Sequence, residues 1–283
     1  MDASKINSLR QQIESLSWYH TIDLGNGIVT PGAYDHRPYL HYYGLPTDLH
    51  GKTALDVGPA SGYFTFELER RGAELTVVEL PRWEDHDFGP RHESKTNFQN
   101  AESYLHEPFR VAAKALDSQA TVKSLTIYQV TPETVGMFDL VFCGSVLLHL
   151  TDPIRALWGI QKVTRGAAII ATMIWPNQSD EPLAHFSGHD RGDCWWLPNR
   201  VGLEKMVYSA GFQDYEWWSD FRLDYASGQE GPYHGVIFAW NTPQRPDWLP
   251  SVEQRPITPP QPNRGVAGRL ATGVRGMIQQ LKR

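Results

Sequence analysis

The stretch ALDVGPASGYFTFELERRGAELTVVEL, at residues 54–80, contains two apolar runs separated by a turn of small residues and an amphipathic segment. This order predicts a strand at 53–57, a helix at 62–71 and a second strand at 74–79, which together form a βαβ unit. In such a unit the turn after the first strand brings the backbone close to a bound nucleotide. The stretch therefore predicts a parallel sheet with a nucleotide pocket at one edge.

Apolar runs continue to alternate with helical patterns after this unit, which is typical of an α/β Rossmann-like fold. The further predicted strands lie at 122–128, 138–143, 167–174, 213–218 and 233–240. The further predicted helices lie at 93–115, 152–162 and 199–210. Because only a loop separates the last two strands, we predict a seven-stranded, mostly parallel sheet with helices on both faces and a C-terminal antiparallel hairpin.

Changes in composition divide the chain into three parts. Residues 1–46, called the cap segment, begin with a short helix at about 4–17 and continue with aromatic residues punctuated by Gly and Pro. Residues 47–241 form the core, and residues 242–283 combine a Pro-rich linker with a basic amphipathic C-terminal helix. That helix could contact an anionic membrane or a partner, or it could pack on its own chain or form a homodimer.

The composition is that of a globular protein, with 41% hydrophobic and 20% charged residues. The net charge is −6, and because the last thirty residues carry six basic and no acidic side chains, the remainder is strongly acidic. We therefore do not expect a nucleic-acid partner. The polar N-terminus, the absence of a long apolar run and the two separated cysteines predict a cytoplasmic protein without a zinc site or disulfide framework.

The turn DVGPASG does not match a dinucleotide fingerprint. A GxGxxG pattern that begins at Gly58 would place Tyr63 at its third position, where a large side chain prevents close packing of helix on strand. The spacing present is Gly-x-small-x-Gly over residues 58–62, called the glycine loop. Such a loop lets a ligand lie against the backbone without requiring a phosphate.

Together with FDLVFCGSVLLHLTDP at 138–153, the opening stretch resembles class I S-adenosylmethionine (SAM)-dependent methyltransferases over roughly residues 50–240. The resemblance implies that SAM is the cofactor, that Asp56 orders the glycine loop and faces the amino group of the methionine moiety, and that Glu79 binds the ribose hydroxyls. The other residues implied to bind SAM are Gly58, Ala60 and Gly62 beside the methionine moiety, Tyr128 and Gln129 beside adenine, and Cys143 and Ser145 beside the sulfonium.

Within this class the chain is similar to the family of the bacterial tRNA wobble-uridine carboxymethyltransferase. The likeness lies in LHGKTALDVGPASGYF, in SVLLHLTDPIRALW and in GHDRGDCWWLPNRVGLEKMVYSAGF at 188–212. Members of that family use carboxy-SAM, and a tyrosine before the histidine of the fourth-strand motif reads the extra carboxylate. Here Leu148 precedes His149. A leucine cannot donate a hydrogen bond, so ordinary SAM and simple methyl transfer are expected.

Two regions carry candidate catalytic residues. His149 follows the fourth strand, at the ligand-binding edge of the sheet, and could either accept a hydroxyl proton or merely pack locally. The second region is WPNQSDEPLAHFSGHDRGDCWW at 175–196, called the lid segment, where His185 and Asp190 are further candidates. The spacing of His185 and His189 would suit a metal ion only on a helix, and the glycine between them disfavours a helix, so no metal site is predicted.

Aromatic residues flank the core and could stack on a flat or sugar-like acceptor. They are concentrated in GAYDHRPYLHYY at 32–43 and at the end of the lid segment. The residues predicted to bind the substrate are Tyr34, His36, Arg37, His189 and Trp195.

The sequence thus predicts a SAM-dependent methyltransferase that acts on a small-molecule or glycan acceptor through a hydroxyl. Two alternatives remain: a tRNA wobble-uridine methyl or carboxymethyl transferase, and a SAM-binding pseudoenzyme or scaffold. A basic surface patch would favour tRNA as the substrate, whereas a closed aromatic pocket would favour a small acceptor.

Overall fold

The centre of the molecule is a seven-stranded sheet, seen in a computed structural model that describes residues 3–90, 105–188 and 194–257. Its strands are β1 (Thr53–Val57), β2 (Glu74–Glu79), β3 (Thr121–Ser124), β4 (Phe138–Gly144), β5 (Thr164–Met173), β8 (Asp214–Arg222) and β9 (Tyr233–Trp240). Two short strands, β6 (Ala184–Phe186) and β7 (Trp196–Pro198), form a separate antiparallel sheet within the lid segment.

Helices precede, connect and follow these strands. They are α1 (Ala3–Glu14), α2 (Leu40–Tyr43), α3 (Tyr63–Arg70), α4 (Glu107–Leu116), α5 (Pro132–Val135), α6 (Pro153–Val163) and α7 (Arg200–Ser209). Short 3₁₀ helices lie at Arg37–Tyr39, Trp83–Asp85, Ile127–Gln129, Leu147–His149 and Val252–Gln254.

The strand order in the main sheet is β3-β2-β1-β4-β5-β9-β8. The first five strands of this order are parallel, and β9 runs antiparallel to both β5 and β8. The predicted seven-stranded Rossmann-like sheet with an antiparallel C-terminal hairpin is therefore confirmed. The chain moves outward in opposite directions from β1 and β4, and a sheet of this kind binds ligands at that switch point, beyond the carboxyl ends of the strands.

Both faces of the sheet are buried. Successive residues of a strand point to opposite faces, so Ala54 and Leu55 of β1 belong to different hydrophobic clusters. Tyr43 of the cap segment and Leu68 of α3 cover one face, and Leu157 of α6 covers the other. The cap segment is thus part of the core, since its aromatic side chains pack directly on the sheet.

Several elements differ in extent from the sequence-based expectation; for example, the strand expected at 213–218 continues to Arg222, and the helix expected at about 4–17 ends at Glu14. The strand expected at 122–128 ends at Ser124, because the chain turns into the 3₁₀ helix Ile127–Gln129. Of the helix expected at 93–115, residues 93–104 lie outside the described residues, and α4 covers the remainder.

Residues 242–257 are the described part of the Pro-rich stretch, and their first half lies against the core while residues 251–257 are mostly exposed. Leu249 is buried, and Nη2 of Arg245 donates to Oε1 of Glu216 at 2.7 Å. Residues 258–283, which contain the predicted C-terminal helix, lie outside the described residues. None of the helices in the described ranges is both long and apolar enough to cross a membrane.

One buried asparagine ties the first half of the lid segment to α7. Oδ1 of Asn199 accepts hydrogen bonds from the N–H groups of Leu183 at 3.0 Å and Gly202 at 2.8 Å. Its Nδ2 donates to the carbonyls of Ser179 at 3.1 Å and Glu181 at 2.9 Å. All four hydrogen-bonding positions of the amide are used, and the side chain also caps the N-terminus of α7.

We expect Asn199→Ala to lower the free energy of unfolding by about 2–4 kcal/mol, because it removes the helix cap and leaves buried backbone groups unpaired. Urea denaturation followed by circular dichroism measures the change. Asn177→Ala is the matched control, since its side chain accepts one hydrogen bond, from the N–H of Ser179. A similar loss in the two variants would contradict the role assigned to Asn199.

Candidate functional site

A pocket opens at the carboxyl ends of β1, β2 and β4, at the switch point of the sheet. Its described wall is formed by the start of the cap segment, the glycine loop, the chain after β2, residues 125–128 and the end of β4. Most of the exposed surface inside it is apolar. The pocket lies where the sequence predicts a nucleotide site.

The glycine loop reverses the chain between β1 and α3 through left-handed backbone conformations. The φ angles are 72° at Gly58, 49° at Ala60 and 97° at Gly62. A Cβ atom on Gly58 would lie 2.6 Å from the side chain of Val146, and one on Gly62 would lie 2.6 Å from the ring of Phe66. Glycine is therefore required at both positions by conformation and by space. Gly58 and Ala60 line the pocket, whereas Gly62 lies behind it and begins α3.

Two carboxylic acids, Asp56 and Glu79, line the pocket at the ends of adjacent strands. Asp56 is 1% exposed, and its Oδ2 accepts a hydrogen bond from the hydroxyl of Thr65 at 2.6 Å. Burial raises the pKa of Asp56 to about 7 despite that bond. Burial also raises the pKa of Glu79 to about 7, and the nearby charge of Asp56 adds to the shift. Hydrogen-bond donors on a ligand would therefore stabilise the ionised forms of both groups.

Of the two residues expected beside adenine, one lines the pocket and the other does not. Tyr128 lines the pocket, and its hydroxyl donates to Asp87 at 2.5 Å and accepts from the N–H of Asp152 at 3.1 Å. Gln129 is exposed and outside the pocket wall, because its side-chain oxygen accepts from the N–H of Thr126 at 2.9 Å. The 3₁₀ turn thus directs Gln129 away from the site to which it was assigned.

The chain that follows β4 contributes Ser145 and His149 to the pocket wall. Ser145 has a φ of 56°, and its N–H donates to the carbonyl of Ala171 at 2.7 Å. Cys143 is fully buried beneath the wall, and this burial raises the pKa of its thiol to about 12. Cys143 therefore does not line the pocket, whereas its neighbours Phe142 and Gly144 do.

The lid segment lies beside the pocket, and its described candidates are outside the wall. His185 is on β6, opposite Leu197, with its ring centroid 5.8 Å from that of Trp175. His185 is thus outside the wall to which His149 contributes. His189 and Asp190 lie outside the described residues. Within the described ranges, no group of three or more His, Cys, Asp or Glu side chains could hold a metal ion.

Trp195 connects the lid segment to the pocket without lining it. Its ring Nε1 donates to the carbonyl of Asp87 at 2.8 Å, and its N–H donates to the carbonyl of Leu148 at 2.7 Å. Oδ2 of Asp87 in turn accepts from the hydroxyl of Thr151 at 2.7 Å. These bonds hold the chain after β2, the chain after β4 and the lid segment together at the mouth of the pocket.

The three substrate candidates of the cap segment lie away from the pocket wall. Tyr34 is buried in the core, and His36 is buried with its Nδ1 bonded to the Tyr43 hydroxyl at 2.9 Å. Arg37 is at the surface, where it pairs with Asp35 at 2.7 Å. None of the three lines the pocket, and their described contacts are with other residues of the protein.

Sequence reasoning missed Tyr19 and His20, the cap residues that do line the pocket. The N–H of Tyr19 donates to the Ser61 hydroxyl at 3.0 Å, and the N–H of Tyr63 donates to Nδ1 of His20 at 3.3 Å. The aromatic cluster around residue 19 was the signal available in the sequence. It did not distinguish these two side chains from their aromatic neighbours, since the contacts join residues more than forty positions apart.

Comparison with known proteins places this site in a family. A family model described as a methyltransferase domain matches residues 34–216. The tRNA U34 carboxymethyltransferase of Pseudomonas putida (strain W619) is 26% identical over 176 residues, which cover 59% of this chain and 47% of the relative. The enzyme of the same name from Pseudomonas aeruginosa (strain LESB58) is 28% identical over 171 residues, with the same coverage. The chain spans about half the length of these curated relatives.

Solved structures share the fold. The N-terminal domain of EvdMO1, crystallised in the presence of S-adenosylhomocysteine (SAH) and D-fucose, superimposes with a TM-score of 0.56 at 17% identity. The match covers 85% of this chain and 97% of that domain. The same domain with SAH bound superimposes with a TM-score of 0.54 at 18% identity.

The pocket residues fit SAM and its demethylated form SAH. The carboxyl groups of Asp56 and Glu79 line the cavity, where burial deprives them of water. SAM and SAH carry an amino group and two ribose hydroxyls, which can donate hydrogen bonds to these groups. The close contact with Val146 excludes a side chain at Gly58, so this residue lines the pocket with its backbone. These residues would hold the cofactor through its polar groups, while the apolar wall would cover its adenine.

We expect SAH to bind more weakly as the pH falls below about 7. Ionised Asp56 and Glu79 accept the donors of the ligand, and protons compete for the same oxygens below their raised pKa values. The dissociation constant should rise by up to about tenfold per pH unit for each carboxylate involved. Isothermal titration calorimetry between pH 5.5 and 8.5 measures this, and a pH-independent constant would contradict it.

Thr65→Val should shift the pH dependence of SAH binding to higher pH, because it removes the hydroxyl that stabilises ionised Asp56. The matched control is Thr172→Val, since Thr172 is also fully buried and its hydroxyl has no hydrogen-bond partner among the described residues. Thr172→Val should therefore leave the binding profile unchanged. Equal shifts in both variants would show that the Thr65 bond does not tune Asp56.

Proposed function

This chain belongs to the methyltransferase-domain family and is a SAM-dependent methyltransferase, and on that premise we propose that it methylates a hydroxyl group of a small molecule or glycan. The observation that carries the proposal is the charge of the pocket. Its described wall includes Asp56, Glu79, Asp85 and Asp87 and contains no Lys or Arg. Such a wall disfavours a polyphosphate chain and therefore argues against a nucleic-acid acceptor.

The surroundings of Leu148 support ordinary SAM as the methyl donor. This residue occupies the position at which the similar family uses a tyrosine to read carboxy-SAM. It is 4% exposed and packs in an apolar cluster with Cys194 and Leu197. An aliphatic side chain in such a cluster offers no hydrogen bond to an extra carboxylate. The tRNA carboxymethyl activity named for the relatives is therefore the second candidate.

His149 is the residue to which we assign proton removal. SAM supplies a methyl group that is already activated on a sulfonium. The protein has to align the acceptor and take the proton of its hydroxyl. His149 lines the pocket at the end of the 3₁₀ helix that follows β4, and an imidazole can accept a proton near neutral pH.

The aromatic part of the wall supports a ring-shaped acceptor. Tyr19, Trp83 and Phe88 line the pocket together with Phe142. Flat apolar surfaces of this kind pack against planar rings or against the apolar face of a sugar. EvdMO1, whose domain shares the fold, was crystallised in the presence of a sugar, D-fucose. Sugars are therefore the acceptors to examine first.

The proposal is tested by supplying methyl-labelled SAM with a panel of monosaccharides, glycosides and phenols, and separately with total tRNA. We expect label in a member of the panel, bonded to oxygen, and none in tRNA. Label in tRNA alone would establish the second candidate. Binding of SAH without turnover on either set would favour a pseudoenzyme or scaffold.

With an acceptor in hand, His149→Ala should lower kcat by about 10²- to 10⁴-fold, because it removes the group that accepts the hydroxyl proton. The dissociation constant of SAH should change by less than about twofold, since the cofactor is held mainly by other residues. His50→Ala is the control, because His50 is exposed and paired with Asp48 away from the pocket. An unchanged kcat in His149→Ala would assign the base to another residue.

A further inference from the structure

We propose that His20 binds the cofactor and that the N–H at Nε2 of its ring donates a hydrogen bond to the methionine carboxylate of SAM. The cap segment would then supply part of the cofactor site as well as covering the core. This inference rests on SAM as the cofactor and is independent of the acceptor.

The first argument is the position of the ring. His20 is 4% exposed and lines the pocket. The Ser61 hydroxyl accepts from the N–H of Tyr19 at 3.0 Å, and Nδ1 of His20 accepts from the N–H of Tyr63 at 3.3 Å. Backbone and ring are thus both fixed to the end of the glycine loop. This is the end of the pocket where the methionine moiety is expected.

The second argument is the proton on the ring. Because Nδ1 accepts the N–H of Tyr63, the proton of a neutral His20 ring must be on Nε2. Burial lowers the pKa of His20 to about 3, so the ring is neutral at physiological pH. Nε2 of His36 is a fully buried atom without a hydrogen-bond partner among the described residues. Nε2 of His20 does not belong to this group of fully buried, unpartnered atoms. The structure gives it no described hydrogen-bond partner, so it retains access to the pocket.

The third argument is a shortage of other donors at this end. The N–H groups of Gly58 and Gly62 donate to backbone carbonyls at 2.9 and 2.8 Å, and that of Ala60 donates to Glu79. The loop therefore uses these N–H groups internally, and the described wall contains no Lys or Arg. A ligand carboxylate that leaves water here needs a side-chain donor. The ring of His20 provides one.

Most other neutral donors of the described wall follow different strands: Trp83 and His86 come after β2, Thr126 and Tyr128 after β3, and Ser145 and His149 after β4. Tyr19, which precedes His20 in the cap segment, is the exception. His20 is hydrogen-bonded to Tyr63, the first residue after the glycine loop. Tyr19 and His20 both adjoin the glycine loop, but among the described contacts only the ring of His20 is hydrogen-bonded to the end of the loop, so we select His20 for the carboxylate. A hydrogen bond to an ionised group is among the stronger ones in proteins.

The test compares three ligands by isothermal titration calorimetry: SAH, its decarboxylated analogue and 5′-methylthioadenosine, which lacks the whole amino-acid end. His20→Ala should raise the dissociation constant of SAH by about 10- to 100-fold. The constants for the two ligands without a carboxylate should change by less than about twofold. A general disturbance of the pocket would weaken all three ligands alike and would overturn the proposal.

Two further variants keep the result independent of folding. His20→Phe retains a ring but removes the donor, and it should reproduce the selective loss of SAH binding. His20→Gln retains a side-chain N–H and should restore most of the affinity. Thermal melts monitored by circular dichroism identify the variants that remain folded. Unchanged SAH binding in folded His20→Phe, or equal loss in His20→Gln, would also overturn the proposal.

Discussion

The pocket depends on a set of hydrogen bonds between the cap segment and the glycine loop. The Ser61 hydroxyl accepts from the backbone of Tyr19, and the ring of His20 accepts from the backbone of Tyr63. The first bond holds the loop between two glycines with left-handed backbone, and the second satisfies an N–H at the start of α3. The same bonds place Tyr19 and His20 in the pocket wall. The cap segment therefore contributes directly to the wall of the cofactor site.

The electrostatics of the pocket follow from placing two acids at the ends of adjacent strands without a cation beside them. Asp56 and Glu79 have their pKa values raised to about 7 by burial, so the pocket disfavours their ionisation. Between about pH 4 and 7 the folded state holds these protons more tightly than the unfolded chain does, so the free energy of unfolding falls as the pH rises. A ligand with an amino group and hydroxyls reverses this cost, which links affinity to pH.

The mouth of the pocket is organised by Asp87. Its carboxylate accepts from Tyr128 and Thr151, and its carbonyl accepts from the ring of Trp195. Three separate chain segments thus meet at one residue. The lid segment contains the β6–β7 pair and is bonded to the pocket rim through Trp195. The acceptor would enter beside this rim, next to His149.

The sequence by itself determined the βαβ unit, the glycine loop and the positions of Asp56 and Glu79. These features depend on local periodicity and on the rule that parallel strands end at one edge of the sheet. Only the tertiary structure decided that His20 lines the pocket and that His185 lies outside it. Packing between segments far apart in the chain, and hydrogen bonds such as the one that holds Gln129 in its turn, decide which side chains reach the cavity. A linear pattern contains neither kind of contact.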